Sequence, residues 1–428
     1  MTTKRSLQDE NLRPQKPSVI VVGGGPAGMM AAVRAAQLGA SVTLIERNAT
    51  LGRKLLLTGK GRCNLTNAAD LDAFLGSYGA HGPFLRDVFK KFFNAELMRF
   101  FEDRGVALKV ERQARVFPVS DRSGSILEAL KKELQACRVQ ISSRSEARDI
   151  VVDHKAVAGV VLATGQRLNS CHVVWATGGK SYPLTGSTGE GILLAARWGH
   201  RIVPLRPALV GLETRQTFPG DMRGLTLKNV RLRFSNGKHQ IVSDIGEVLF
   251  TDFGISGPLV LTHSGQVVDW LNVPQRVTVS LDLKPSLTEE ILSRRLSKDV
   301  RESRHRKVKN ALKDYFPTRF VDVFLRQGGV SPDKALCQLN LPEQRALVRL
   351  FKDFILDIKG ARSFKEAMVT QGGVDLKDVN PRTMESRVVR GLFFAGEMLD
   401  IDGTTGGFNL QAAFSTGYVA GESAAMRR

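Results

Sequence analysis

The stretch from Val19 to Glu46, VIVVGGGPAGMMAAVRAAQLGASVTLIE, constrains this chain more than any other. It spells an apolar β-branched strand, a glycine turn, an alanine-rich helix and a second strand that ends in a carboxylate, which is the pattern of a nucleotide-binding βαβ unit. Gly23 permits the tight turn, Gly25 lets the backbone approach a pyrophosphate, and Gly28 lets the helix lie close to the strand. Pro26 and Ala27 open the helix, whose free N–H groups face the phosphates. Glu46 then falls where a ribose hydroxyl is held, with Arg47 beside it. The competing reading of these glycines is a turn required only for packing.

Two later strands indicate which nucleotide. VVWATGG, Val173 to Gly179, and GLFFAGE, Gly391 to Glu397, both end in small residues, and both read as further turns around one extended cofactor. Thr177, Gly178, Gly396 and Glu397 are the candidate contacts there. The second strand leads into DGTTGGFNLQAAFSTG, where Gly407, Phe408 and Asn409 open a helix of small residues. A helix N-terminus carries partial positive charge and suits the N1/C2=O edge of a flavin, where negative charge collects on reduction. A dehydrogenase using NAD alone has no use for this third element, so the expected cofactor is FAD.

The 428 residues are 42% hydrophobic and 24% charged, enough for two or three packed domains. No apolar run of about 18 residues occurs. The opening MTTKRSLQDENLRPQKP lacks the apolar centre of a signal peptide, so a cytoplasmic protein is expected. Cys63, Cys137, Cys171 and Cys337 show no CxxC spacing and no nearby His pattern, which argues for free thiols and no metal site. The charge balance is less ordinary, because 62 Lys and Arg against 42 Asp and Glu give a formal net charge of +20. A field of that size attracts polyanions, with nucleic acid favoured over an anionic membrane because no basic amphipathic helix with exposed aromatics stands out. The alternative is a solvated basic surface without a partner.

Along the chain, residues 1–17 read as a flexible tail and 18–203 as the first part of a cofactor domain. Phe84 to Gly105 has helical periodicity, and strands at Val139–Ser142, Ala147–Val152 and Ala156–Leu162 form a small β excursion. Residues 204–285 turn β-rich, and 286–354 turn helical, with Ser286/Glu289 and Asn340/Glu343 as capping boxes and Ser331-Pro332 as an N-cap and first turn. The cofactor domain resumes over 355–428. Within the helical insert, Arg301, Arg304, Arg306, Lys307, Lys309 and Lys313 make a basic run, read either as a solvated helix face or as phosphate contacts.

These pieces together closely resemble a bacterial flavoprotein family described as NAD(P)/FAD-dependent or aminoacetone-oxidase-like, and the resemblance covers nearly the whole chain. It rests on GGGPAG (Gly23 to Gly28), GRKLLLTGKGRCNLTN (Gly52 to Asn67), WATGGKSYPLTGSTGEG (Trp175 to Gly191), GEVLFTDFGISGPLVL (Gly246 to Leu261) and GLFFAGEMLDIDGTTGGFNLQAAFSTG (Gly391 to Gly417). The resemblance implies an α/β fold: a two-part Rossmann-like FAD-binding domain with an inserted β-barrel-like domain and an inserted small helical domain. The activities it implies are reduction of bile-acid enones, amine oxidation, and reduction of uridine to dihydrouridine in 23S ribosomal RNA. The last is the leading expectation because of the charge, with a small-molecule enone reductase or amine oxidase as one alternative. A flavin-carrying RNA-binding assembly factor without turnover is another.

For conjugated C=C reduction, flavin N5 delivers hydride to C6 of uracil and an acid protonates C5. Cys63, in the loop after Glu46, is the first candidate acid, with a small packing residue as its alternative role; Lys60 and Lys180 are substitutes, and Tyr182 is a further one. Lys54, Gly61, Arg62 and Asn64 of the same loop are expected against FAD, although Arg53, Lys54, Lys60 and Arg62 also suit a substrate carbonyl or phosphate. Glu397 and Asp400 are expected to bind ribityl hydroxyls or shape the turn rather than act as acids, and His200 to be structural. No second GxGxxG follows another strand, so NADH or NADPH is expected only as a transient reductant.

Overall fold

The computed structural model describes residues 17–427, so the expected tail lies outside them up to residue 16. The described residues divide into two compact units, 17–205 with 369–427, and 206–368.

The first unit is built on a five-stranded parallel sheet of β1 (Ser18–Val22), β2 (Ser41–Glu46), β3 (Gln140–Ser143), β4 (His172–Trp175) and β5 (Leu392–Phe394), in the order β5-β4-β1-β2-β3. Central strands of such a sheet are covered on both faces, which is why β1 and β4 read as unbroken apolar runs: Val19, Val21, Val173, Val174 and Trp175 are wholly buried. Helix α1 (Pro26–Gln37) starts at Gly25 with proline in its first turn, where the missing N–H costs nothing. Helix α2 (Phe408–Met426) closes the chain and lies directly on α1. A Cβ at Gly417 or Gly421 would stand 2.2 Å from the carbonyl oxygen of Ala27 or Ala31, so the two helices meet backbone to backbone through residues without side chains.

Phe84 to Gly105 forms two helices, Gly82–Lys91 and Asn94–Glu102, rather than one. The break at Phe92 leaves the periodicity intact because both helices bury their apolar faces in the same core. The segment expected as Val139–Ser142 is β3 of the parallel sheet, paired with β2, and the separate three-stranded sheet is Ala147–Asp153, Ala156–Leu162 and Arg167–Asn169.

The second unit is a closed six-stranded barrel with helices. Its strands run Leu212–Thr214, Gly254–Ser256, Gln240–Phe250, Thr226–Ser235, Val277–Asp282 and Phe354–Ala361 around the ring. The strand Phe354–Ala361 follows the helical segment in sequence yet closes the barrel, so residues 204–285 do not complete a β domain by themselves. Barrel and helices share one apolar core, with Phe320 packed against Phe250 at 6.0 Å and against Phe354 at 5.4 Å between ring centroids. The Asn340/Glu343 capping box forms as expected. The helix at Glu289 is capped by Thr288 rather than Ser286, and Ser331-Pro332 opens only turns ahead of a three-residue 3-10 segment at Leu336–Gln338.

Candidate functional site

The turn between β1 and α1 shows why each glycine is needed. Gly23 has φ +108° and would place a Cβ 2.4 Å from the Ala176 carbonyl oxygen, while a Cβ at Gly28 would fall 1.8 Å from that of Gly23. Both are demanded by the fold itself. Gly25 differs: a Cβ there meets nothing within 4 Å, and its φ of −82° is ordinary for any residue. The space beside Gly25, at the N-terminus of α1, is left open, as a pyrophosphate there would require. Glu46, 8% exposed, is fixed beside it by accepting from the Gly24 amide at 2.7 Å and from Asn48 N at 2.8 Å and Nδ2 at 2.6 Å.

Arg47 points elsewhere. Its guanidinium pairs with Glu146 at 2.6 Å and Glu190 at 2.7 Å and donates to Thr188 Oγ1 at 3.0 Å, bracing the end of β2 against the loop before Glu190.

A second polar centre joins three segments at the carboxyl ends of β4 and β5. Glu397, just beyond β5, accepts from Lys54 Nζ at 2.5 Å through one oxygen. Its other oxygen accepts from Ser181 Oγ and from the Thr370 amide, both at 2.7 Å. Lys54 also donates to Ser181 Oγ at 2.6 Å, and Thr370 Oγ1 accepts from the amides of Lys180 at 2.7 Å and Ser181 at 3.0 Å. A Cβ at Gly179 would sit 2.4 Å from Thr370 Oγ1, so the glycine lets this hydroxyl reach the loop. Glu397 thus shapes the turn. Ser181 and Thr370 were not among the expected site residues. Ser181 lies within the WATGGKSYPLTG motif, whereas nothing in the local sequence marks Thr370.

The N-terminus of α2 forms the third element. Gly407 has φ +100°, and a Cβ on it would fall 2.3 Å from the Thr66 carbonyl oxygen. With its amide oriented for hydrogen bonding, Asn64 accepts from the Gly407 amide at 3.1 Å and donates to the Thr66 carbonyl at 3.2 Å. Asn409 clamps Gly403 through its N–H and its C=O, both at 2.8 Å, and the Tyr78 hydroxyl donates to the Phe408 carbonyl at 2.7 Å. The loop before α2 is therefore held from three sides, and the positive end of a 19-residue helix is presented at a fixed place.

Several expected residues are placed otherwise. Cys63 is 0% exposed, and burial pushes its thiol up to about 12. A sealed, neutral thiol suits the packing role and is poorly placed to donate a proton. Arg62 stacks on Phe117 at 4.2 Å and is paired with Glu111 and with Asp121, the latter at 2.6 Å, which takes its guanidinium away from a phosphate. Gly61 follows a kink at Gly59 and Lys60 in that loop, and Lys60 itself is exposed. Lys180 is exposed, next to the Ser181 centre. Thr177 and Gly178 lie in the loop that follows β4, and Gly396 donates its amide to Thr416 Oγ1 of α2 at 2.9 Å. His200 is buried and bonded to Ser386 Oγ at 2.6 Å, a structural role. The four cysteines are free thiols. Among the described residues no group of three or more His, Cys, Asp or Glu could hold a metal ion, and no helix is long and apolar enough to cross a membrane.

The sequence profile of the HI0933-like protein Rossmann domain family matches residues 17–423. The chain belongs to this family. It is 32% identical over 409 residues to the 3-dehydro-bile acid delta(4,6)-reductase of Clostridium scindens, covering 95% of this chain and 98% of that protein. It is 31% identical over 405 residues to the ribosomal RNA dihydrouridine synthase of Escherichia coli K12, covering 94% and 96%. Among solved structures, 3-ketosteroid delta1-dehydrogenase from Sterolibacterium denitrificans aligns with a TM-score of 0.53 at 12% identity, over 95% of this chain and 99% of that one, which is a likeness of fold. The fold is the FAD-binding Rossmann type with a closed six-stranded barrel, and the protein is an FAD-dependent oxidoreductase. The open space at Gly25, the pinned Glu46 and the fixed N-terminus of α2 are the features that would hold FAD.

Proposed function

We propose that this protein is a cytoplasmic reductase of uridine, converting it to 5,6-dihydrouridine in 23S ribosomal RNA. The substrates named for the two similar proteins share one chemistry, a C=C bond conjugated to a carbonyl. The observation that carries the RNA reading is the net charge of +20, since a polyanion profits from that field and a steroid does not.

Bound FAD, once reduced, would supply hydride to C6 of uracil. The electron pair of C5=C6 then moves toward C5 and the C4 oxygen, and C5 takes a proton. We assign that proton to Lys180, whose backbone is pinned by Thr370 while its side chain stays exposed, with Lys60 as the second candidate. The Lys54–Glu397–Ser181 centre holds the loop carrying Lys180 against the loop carrying Lys60. The partial positive charge of the α2 N-terminus would stabilise the negative charge that a flavin's pyrimidine edge gains on reduction. NADH or NADPH is the transient reductant. A target base inside folded RNA must first leave its stack to reach such a site.

The test is anaerobic incubation of the FAD-loaded protein with NADH or NADPH and protein-free 23S ribosomal RNA, followed by mass spectrometry of nucleosides. Formation of dihydrouridine supports the reading. Its absence, together with reduction of a 3-keto-Δ4 steroid, would favour the small-enone alternative that the 32% identity to the bile-acid enzyme supports.

A further inference from the structure

In the barrel strand Thr226–Ser235, Leu227, Val230, Leu232 and Phe234 fill the interior at 4, 2, 0 and 0% exposure. Lys228, Arg231 and Arg233 must then point outward, and all three are exposed. A bulge with Asn229 at φ +56° keeps Lys228 on the outer face despite its odd spacing from Arg231. Alternate residues on a strand repeat every ~6.7 Å, so Arg231 and Arg233 form a fixed row rather than a flexible cluster.

Among the described residues, no carboxylate lies within 4.0 Å of the charged atoms of Lys228, Arg231 or Arg233. Asp282, directly opposite Arg231, is spent on Lys352 at 2.6 Å, and Ser280, opposite Arg233, donates to Asp353. On the other neighbouring strand Arg231 faces Ile245 and Arg233 faces Val242, which are 46% and 56% exposed. The basic run of the helical segment is different: Arg306 pairs with Asp314 at 2.7 Å, and Lys307 and Lys309 share Asp333 at 2.9 and 2.8 Å. Their joint pull holds the Asp333 carboxyl at about 2. Half of the expected phosphate-binding run is thus already engaged in ion pairs within the protein, three cations against two carboxylates.

We propose that the outer face of this strand is the docking surface for the phosphodiester backbone of the RNA substrate, an assignment that rests on the RNA-reductase reading. Two guanidinium forks and an ammonium in a rigid row suit successive phosphates, and the exposed Val242 and Ile245 suit the apolar faces of sugars or bases beside them.

The experiment measures binding of protein-free 23S ribosomal RNA by the FAD-loaded full chain across a salt series, for the wild type and for Lys228→Gln/Arg231→Gln/Arg233→Gln. Each phosphate contact contributes ~0.7–0.9 to the slope of log affinity against log salt, so the triple variant is expected to lose roughly 2 to 3 from that slope. Its flavin spectrum and melting temperature are expected to match the wild type, and if the triple variant misfolds, Arg233→Gln alone is expected to lose slightly under one. A full slope in the barrel variant, with the loss appearing instead in Arg301→Gln/Arg304→Gln/Lys313→Gln, would overturn the surface and leave the RNA reaction standing. Equal affinity of wild type and variant for RNA but weaker capture of the variant by anionic vesicles would overturn it in favour of a membrane. A wild type that makes no dihydrouridine and binds RNA without salt dependence would remove the RNA reading itself.

Discussion

Replacing Gly25 with alanine separates what the fold needs from what the cofactor needs. At this position φ and ψ are −82° and −177°, which alanine adopts freely, and an added Cβ meets no protein atom within 4 Å. The cofactor-free protein is therefore expected to stay within about 1 kcal/mol of the wild type, the stiffer unfolded chain offsetting the poorer helix N-cap. The same methyl group projects into the space assigned to the pyrophosphate. Forcing it against a ligand there costs about 1–3 kcal/mol, the range for an overfilled site, which is roughly a 5- to 150-fold loss of FAD affinity. Gly28→Ala is the control. Its Cβ would overlap the Gly23 carbonyl oxygen at 1.8 Å, so the turn and helix must separate, and the cofactor-free protein is expected to melt roughly 3–10 °C lower. Thermal melting without FAD and fluorescence titration with FAD read the two effects independently. Wild-type FAD affinity in Gly25→Ala would refute the placement of the pyrophosphate, and a large loss of stability there would show the space to be filled by protein.

Three further outcomes follow from the site. Lys54→Met leaves the Glu397 carboxylate without its cation at 17% exposure, and is expected to cost about 2–3 kcal/mol, with part regained in Lys54→Met/Glu397→Gln; a double variant as unstable as the sum of the singles would show the two are not coupled. Cys63 is expected to resist iodoacetamide at pH 8 while Cys171 and Cys337 react, and Cys63→Ala to retain product formation. Because burial raises its folded-state value from 9.0 to about 12, the neutral thiol's contribution is complete below pH 9 and is lost as pH rises toward 12; a melting temperature that Cys63→Ala protects equally at pH 7 and pH 11 would contradict this. Lys180→Met is expected to lower turnover by roughly 100-fold with FAD affinity unchanged, and undiminished turnover would pass the acid role to Lys60.

What could be read from the sequence was local. The βαβ unit, the turn after β4 and the glycine-led helix α2 carry their reasons within a few residues, since only glycine suits Gly23 or Gly407. The Asn340/Glu343 cap is likewise settled by residues three apart. What was missed depends on partners distant in the chain. Thr370 enters the site because Gly179, 191 residues earlier, leaves it room, and Arg62 is drawn off by Glu111 and Asp121. Cys63 lies in the expected loop, but its depth in the core is not written in the local sequence. The strand Phe354–Ala361 joins a barrel whose other strands precede four intervening helices, an order no local pattern announces. Charge counts also mislead singly, because Arg306, Lys307 and Lys309 look available until Asp314 and Asp333 are found beside them.

The most direct test of the reaction is mass spectrometry of nucleosides from 23S ribosomal RNA of cells with and without this gene. Loss of dihydrouridine on deletion, restored by the wild-type gene and not by Lys180→Met, is the predicted result. An unchanged dihydrouridine content would contradict the RNA reaction and leave a small enone as the substrate.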